Sequence, residues 1–508
     1  MFFVPLYIEW LRSRPLLVFW VAALGQALVW LLVPMLFYSA PPEGLARLLA
    51  IGHEFRVFGD VGPPLAYWLA EIAFRMAGLF GVYLLAQICV VTTYWCVFAF
   101  GRAIVGPAHA ALAILLMVGI SLFTVPSPDF GPPILAMALW AVVLLHWWQA
   151  VMQGRLRSWY VLGVAAALLF LSTDAALILL GALVVFTAVT AHGRAALEAT
   201  EPWIVAVGLV VFLFLHLIWL QEMGDSVTPT LEQLREAETA AGNTSAWLRL
   251  LIALVLAHAG LAILIVLAGG WPRVRASPAP PIARAPVEPF ALTFVKTFAL
   301  LPALLATIVA VVVGQRLPIG GAAPLVVLSG LAVIVALGDS IELHHHRVLG
   351  FAWAGLLIVP AMFVPVMIVL LPWTVGTDLN VAQPANAMGQ FFADSFERRT
   401  GQKLAVVTGD PRTAELVALA APSRPSVFFD ADPARSPWVT ADDIRKKGAI
   451  VVWLTADTTP TPPPDIRTYF PDLIPEVPRT FERPVQGQLP LLRVGWGVIR
   501  PGSVAPAR

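Results

Sequence analysis

The chain has 508 residues, 59% of them hydrophobic and only 12% charged. Soluble domains carry about 25% charge, so this composition excludes an ordinary soluble protein. A net charge of +1 implies no polyanion partner, nucleic acid included. The two cysteines, Cys89 and Cys96, share one apolar run at a spacing too long for a bond within a helix, so no disulfide framework is encoded.

Arg12 and Arg14 precede an apolar run from Leu16 to Phe37, too long for a signal-peptide core and long enough to span a bilayer. It reads as an uncleaved anchor. Further apolar runs follow at 79–101, 103–124, 131–151, 158–173, 174–192, 203–221, 246–269, 290–313, 322–338 and 349–373. With the first they predict about 11 transmembrane helices, each needing roughly 20 apolar residues. Arg12, Arg14, Arg102, Arg155, Arg157, Arg194, Arg273, Arg275, Arg284 and Arg347 then fall on one side, which the positive-inside rule assigns to the cytoplasm. An odd number of spans places the C-terminal region outside, in the periplasm of a bacterial inner (plasma) membrane.

The outer loop 40–78 follows the first span and holds Glu43, His53, Glu54, Arg56, Asp60, Glu71 and Arg75. Within it, Leu45–Phe58 places apolar residues at helical spacing between charges, a pattern that suits a helix lying on the membrane surface. Pro63-Pro64 fixes the backbone before the next helix, which opens with the interfacial pair Tyr67-Trp68. Ionisable residues at a membrane face are costly and tend to be functional. A carboxylate in this loop, Asp60 or Glu43, suits a general base. Asp129, after Pro128, fits either a helix N-cap or the same outer cavity. Ser172-Thr173-Asp174 divides one apolar run into two spans. The segment 271–289 is Pro-rich and basic and reads as a cytoplasmic linker. Adjacent His344, His345 and His346 do not share a helix face and make a poor metal site; none is expected.

From Gly376 charge becomes ordinary and strands alternate with helices: helix 385–399, strand 404–407, helix 412–421, strand 426–430, helix 441–447 and strand 449–454, with a strand pair near 479–485 and 491–499. That alternation predicts a small α/β domain with a parallel core. Gly401 suits a helix stop. Thr408-Gly409-Asp410 follows a strand where such folds bind ligands, and equally suits a tight turn. The organisation is thus a membrane domain over 1–375 and a periplasmic α/β domain over 376–508.

Glu43, the run Gly59-Asp60-Val61-Gly62-Pro63-Pro64-Leu65-Ala66-Tyr67-Trp68-Leu69, and Pro128-Asp129 together resemble GT-C glycosyltransferases of family 39, the protein-mannosyltransferase and aminoarabinose-transferase type. The motifs cover about the first 220 residues, and the layout covers the rest. The resemblance implies an inverting hexosyl- or pentosyltransferase. Such an enzyme moves a sugar from a polyprenyl-phosphate donor to a lipid A, glycolipid or polysaccharide acceptor on the periplasmic face, among membrane lipids. It implies no cofactor; a divalent metal is compatible but not implied. A loop acid, Asp60 or Glu43, would deprotonate the acceptor hydroxyl, with Asp129 and Tyr67 lining the substrate site. Relatives often carry Lys or His directly before Pro-Pro, where this chain has Val61-Gly62, so Arg56, His53 or Arg316 would take the carrier phosphate. The alternative from another class is a membrane transporter or lipid flippase. That reading predicts internal repeats and acids at mid-membrane, whereas the acids here gather at one face.

Overall fold

The structure is a computed structural model that describes residues 4–55, 62–222, 240–269, 282–313, 321–341, 343, 346–432, 435–459, 461–471 and 473–502. Among the described residues, seven helices are long and apolar enough to cross a membrane: Pro15–Phe37, Leu65–Val105, Pro132–Val151, Glu201–Ile218, Trp247–Ala268, Pro289–Val312 and Val348–Thr374. The expectation of about eleven spans is therefore corrected. The four remaining apolar helices, Pro107–Met117, Leu156–Phe170, Ala176–Val189 and Ala323–Ala336, are 10–17 residues long. At 1.5 Å per residue they reach only ~15–26 Å, short of the ~30 Å hydrocarbon core. Hydropathy detects apolar runs equally in both groups; length separates them.

The chain divides into two compact units, Met1–Leu32 with Val57–Ala66 and Tyr83–Ala361, and Val33–Arg56 with Tyr67–Val82 and Met362–Arg508. In the first unit the core is aromatic. Trp147 stacks on Phe294 at 4.8 Å, and Phe294 also meets Phe186, Phe298, Trp148 and Phe100. The Trp147 indole N–H donates to Thr187 Oγ1 at 3.0 Å, as a buried indole requires. A second buried polar link joins three segments: Tyr94 O–H donates to Gln26 Oε1 at 2.9 Å, and Gln26 Nε2 donates to the Phe123 carbonyl at 2.8 Å. Ser172-Thr173-Asp174 does separate two helices, which end at Phe170 and begin at Ala176. Of the segment 271–289, residues 271–281 lie outside the described residues. Just beyond them, Ile282–Ala283 pairs antiparallel with Ser340–Ile341. His344 and His345 also lie outside the described residues.

The second unit contains the α/β domain. Its sheet runs in the order Ser426–Phe429, Val406–Gly409, Ala449–Leu454, Leu492–Ile499, Ile474–Phe481. The first three strands are parallel, and the last two pair antiparallel. The parallel core is present, but the sheet is mixed because the chain returns from the edge strand as a hairpin-like pair. Helix Ala441–Lys447 begins with a capping box between Thr440 and Asp443, and strand Ala449–Leu454 follows directly. Gly401 ends helix Ala385–Thr400 in the left-handed conformation. Thr408 and Gly409 end the strand Val406–Gly409, and Asp410 leads into the next helix. Thr408 Oγ1 donates to the Phe428 carbonyl at 2.7 Å, and Asp410 caps the helix Pro411–Ala420 by accepting from Thr413 N at 3.0 Å.

Candidate functional site

The chain after the helix Pro15–Phe37, as far as residue 56, belongs to the second unit. The N–H groups of Ser39 and Ala40 donate to the Val381 carbonyl at 2.8 and 3.0 Å. Glu43 opens the helix Glu43–Gly52, where a carboxylate complements the helix N-terminus. The sequence suggested that this helix lies on the membrane surface. Instead, Leu45, Ala46 and Leu48 through Gly52 are buried, and the helix packs on Pro411–Ala420 and on the strand Ser426–Phe429. Its amphipathic pattern serves a protein interface, a partner that periodicity cannot tell from lipid. Gly52 permits this packing: a Cβ there would stand 2.6 Å from the Tyr67 carbonyl oxygen.

Two carboxylates organise the site. Glu43 is accessible, at 46% exposure, and is oriented by two residues of the C-terminal region. Arg412 Nε donates to its Oε1 at 2.9 Å, and Asn380 Nδ2 donates to its Oε2 at 2.8 Å. Glu71 is the opposite case, at 1% exposure. Its Oε1 accepts from Arg75 Nε at 2.8 Å and meets His53 Nδ1 at 3.1 Å, while its Oε2 accepts from Arg424 Nη2 at 2.8 Å. A buried carboxylate requires such compensation. The Arg424 guanidinium lies over the Phe74 ring at 4.5 Å, and Arg75 lies over Phe55 at 4.8 Å. Arg424 holds a positive φ of 49°, in a turn that aims its side chain at Glu71.

A third acid, Glu415, is buried on the Pro411–Ala420 helix. Burial pushes its carboxyl up to about 8, with Glu43 and Asp410 acting in the same sense and Arg47 and Arg412 opposing. Glu415 is thus largely protonated at neutral pH, beside the Glu43–Arg412 pair.

Of the residues singled out from sequence, Glu43, His53 and Tyr67 all fall in the second unit, and Asp129 falls in the first. Asp60, Arg56 and Arg316 lie outside the described residues. Asp129 is not the cap of the helix Pro132–Val151; Gly131 holds that position without a side-chain bond. Gly62, directly before Pro63-Pro64, has φ +86°. That conformation favours glycine and disfavours the Lys or His that the resemblance leads one to expect there. Sequence reasoning missed Arg412, Asn380, Arg424 and Glu415, and did not select Glu71 or Arg75. The i,i+4 spacing of Glu71 and Arg75 was the one available signal. Among the described residues, no group of three or more His, Cys, Asp or Glu side chains gathers to hold a metal.

Fold and composition define a polytopic helical membrane protein with a C-terminal α/β domain. Residues 61–219 match the family model described as Dolichyl-phosphate-mannose-protein mannosyltransferase, in line with the resemblance drawn from the loop motifs. Crystal structures of ArnT from Cupriavidus metallidurans are similar at low identity. The form bound to undecaprenyl phosphate is 14% identical with a TM-score of 0.44, and the apo form is 13% identical with a TM-score of 0.48. Each match covers 95% of this chain and 97% of that one. The archaeal oligosaccharyltransferase AglB from Archaeoglobus fulgidus, in complex with an inhibitory peptide and a dolichol-phosphate, is 13% identical with a TM-score of 0.40, over 83% of this chain and 65% of its own. No curated protein sequence matches the chain.

Proposed function

We propose that the chain is an inverting glycosyltransferase that moves a hexose or pentose from a polyprenyl-phosphate donor to a hydroxyl of a lipid or glycan acceptor. The observation that carries the reading is the family match over residues 61–219, a stretch that contains Pro63-Pro64, Tyr67 and Asp129. In the reaction the acceptor oxygen attacks the anomeric carbon, and the bond from that carbon to the phosphate oxygen breaks. The hydroxyl proton passes to a loop carboxylate, and polyprenyl phosphate leaves. Asp60 is the favoured base. Glu43, held open by Arg412 and Asn380, is the second candidate. A positioned base contributes roughly 10²–10⁴-fold. Arg56 and Arg316 offer positive charge, and His53 a ring nitrogen, for the leaving phosphate, whose developing charge is best met by preorganised donors. Tyr67 and Asp129 are candidates for substrate binding, each within its own unit.

The transferase works at the outer face of a bacterial inner membrane. The N-terminus is cytoplasmic, a membrane domain covers 1–375, and a periplasmic domain covers 376–508. The test is transfer of radiolabelled sugar from a polyprenyl-phosphate donor in membranes that carry the protein, paired with mass spectrometry of envelope lipids and glycans from a deletion strain. Asp60→Asn or Glu43→Gln abolishes transfer while membrane amounts stay unchanged. Full activity in both variants overturns the reading.

A further inference from the structure

We infer that the loop 482–491 of the α/β domain is a membrane-contact surface, with Leu491 seated in lipid beside the C-terminal end of the span Val348–Thr374. The loop joins the antiparallel strands Ile474–Phe481 and Leu492–Ile499, a link that a tight turn could make. Its extra length is fastened to the span. The Gln488 N–H donates to the Pro372 carbonyl at 2.9 Å, and a Cβ on Gly487 would stand 2.6 Å from the same oxygen. Val485 packs on the cluster of Ile368, Val381 and Ala382. Arg483 closes the loop by donating to the Asp378 carboxylate at 2.8 Å and to the Pro490 carbonyl. Arg483 and Val485 thus brace the residues on either side of Asn380, whose amide orients Glu43. A lipid contact here ties that segment to the membrane surface.

The chemistry of the loop points to lipid. Residues 484–492 contain no Asp, Glu, Lys, Arg or His, although charge is ordinary elsewhere in the domain. Leu491 is 51% exposed at a position where a loop in water is polar. The span supplies the level. At 1.5 Å per residue, Val348–Thr374 is roughly 40 Å long, about 10 Å more than the hydrocarbon core. Its last turns therefore lie in the interfacial zone, where the exposed Trp373 suits the aromatic belt. Ile368 and Pro372, one turn apart, face the loop. Val366, Val369, Leu370 and Trp373 are exposed on the neighbouring flank, so lipid against that flank runs on to the loop. Only Leu489 and Pro490 separate Leu491 from Gln488, which keeps Leu491 within roughly 11 Å of the Pro372 contact.

The test places single nitroxide labels on the full-length protein in phospholipid nanodiscs and reads their access to oxygen and to a water-soluble nickel chelate. No sugar transfer is measured, so the outcome is independent of the transferase reading. The labelled variants are Leu491→Cys, Val207→Cys on the exposed face of the span Glu201–Ile218, and Val477→Cys on the strand Ile474–Phe481. All three positions are exposed, and Val477 is more exposed than Leu491. The wild type, whose Cys89 and Cys96 are buried, gives the labelling background. A polar chelate is excluded from hydrocarbon, whereas oxygen enters it. The oxygen-to-nickel ratio at Leu491 should therefore exceed that at Val477 by roughly threefold or more, on the side of Val207. A smaller excess over Val477 overturns the inference, because the loop then lies in water. Low access to both reagents with spin–spin broadening at Leu491 also overturns it, because a second copy of the chain then covers the loop.

Discussion

Glu71→Gln should be the most disruptive single substitution outside the apolar cores. The carboxylate is 1% exposed and is met by Arg75 and Arg424 at 2.8 Å and by His53 at 3.1 Å. Arg75 and His53 can turn to water. Arg424 is mostly buried; without Glu71 it keeps the Leu49 carbonyl at 3.5 Å, the face of Phe74 and the nearby Glu54. Breaking a buried ion pair from one side costs about 3–5 kcal/mol, because the remaining charge stays desolvated. At 1.4 kcal/mol per tenfold, that is a shift of roughly two to three and a half decades in the docking of helix Glu43–Gly52. Hydrogen exchange of the amides of residues 45–52 in the purified protein reads that docking directly. Glu71→Gln should speed exchange by ~100-fold or more. Arg412→Ala breaks only an exposed pair, worth ~0–1 kcal/mol, and should change exchange less than about fivefold. Replacing Glu71 and Arg424 together by Met should cost less than Glu71→Gln alone, since both buried charges leave at once. Exchange in Glu71→Gln within about fivefold of wild type would refute the claim that this carboxylate clamps the loop helix.

Further outcomes concern buried polar groups. Burial raises the Glu415 carboxyl from 4.5 to about 8, so between those values the folded protein holds a proton that the unfolded chain has released. The stabilising contribution of the protonated group is complete below pH 4.5, declines up to pH 8 and is flat above. Glu415→Gln removes that decline. Its melting temperature should fall less than that of the wild type between pH 5 and 8, and parallel curves would contradict the assignment. Gln26→Leu leaves the Tyr94 hydroxyl and the Phe123 carbonyl without their partner, costing ~1–3 kcal/mol for each stranded group. Thermal unfolding should report the loss, and adding Tyr94→Phe should recover part of it.

Much of the architecture was legible from local pattern. The helix 441–447 and the strand 449–454 fall where alternation placed them, because a capping box and a buried apolar run are encoded by adjacent residues. The final strand pair was found with its first member displaced, to Ile474–Phe481, since Pro475 and Pro478 obscure the strand pattern. Counting apolar runs overstated the spans, because hydropathy alone does not weigh helix length. The loop helix carried the right periodicity, yet its buried face meets the Pro411–Ala420 helix and not lipid.

The sequence by itself determined that the chain crosses a membrane, that an α/β domain follows, and that the charged loop after the first span is the place to look. Hydropathy, caps and turn residues act over a few positions, so they can be read from neighbours. Only the tertiary structure decided what that loop's acids do. Asn380 and Arg412 reach Glu43 across 337 and 369 residues, and Arg424 reaches Glu71 across 353. An ion pair depends on distance and desolvation, and both are set by how separate elements pack. Burial therefore made Glu71 a clamp and left Glu43 open, although both read in the sequence as glutamates of one loop.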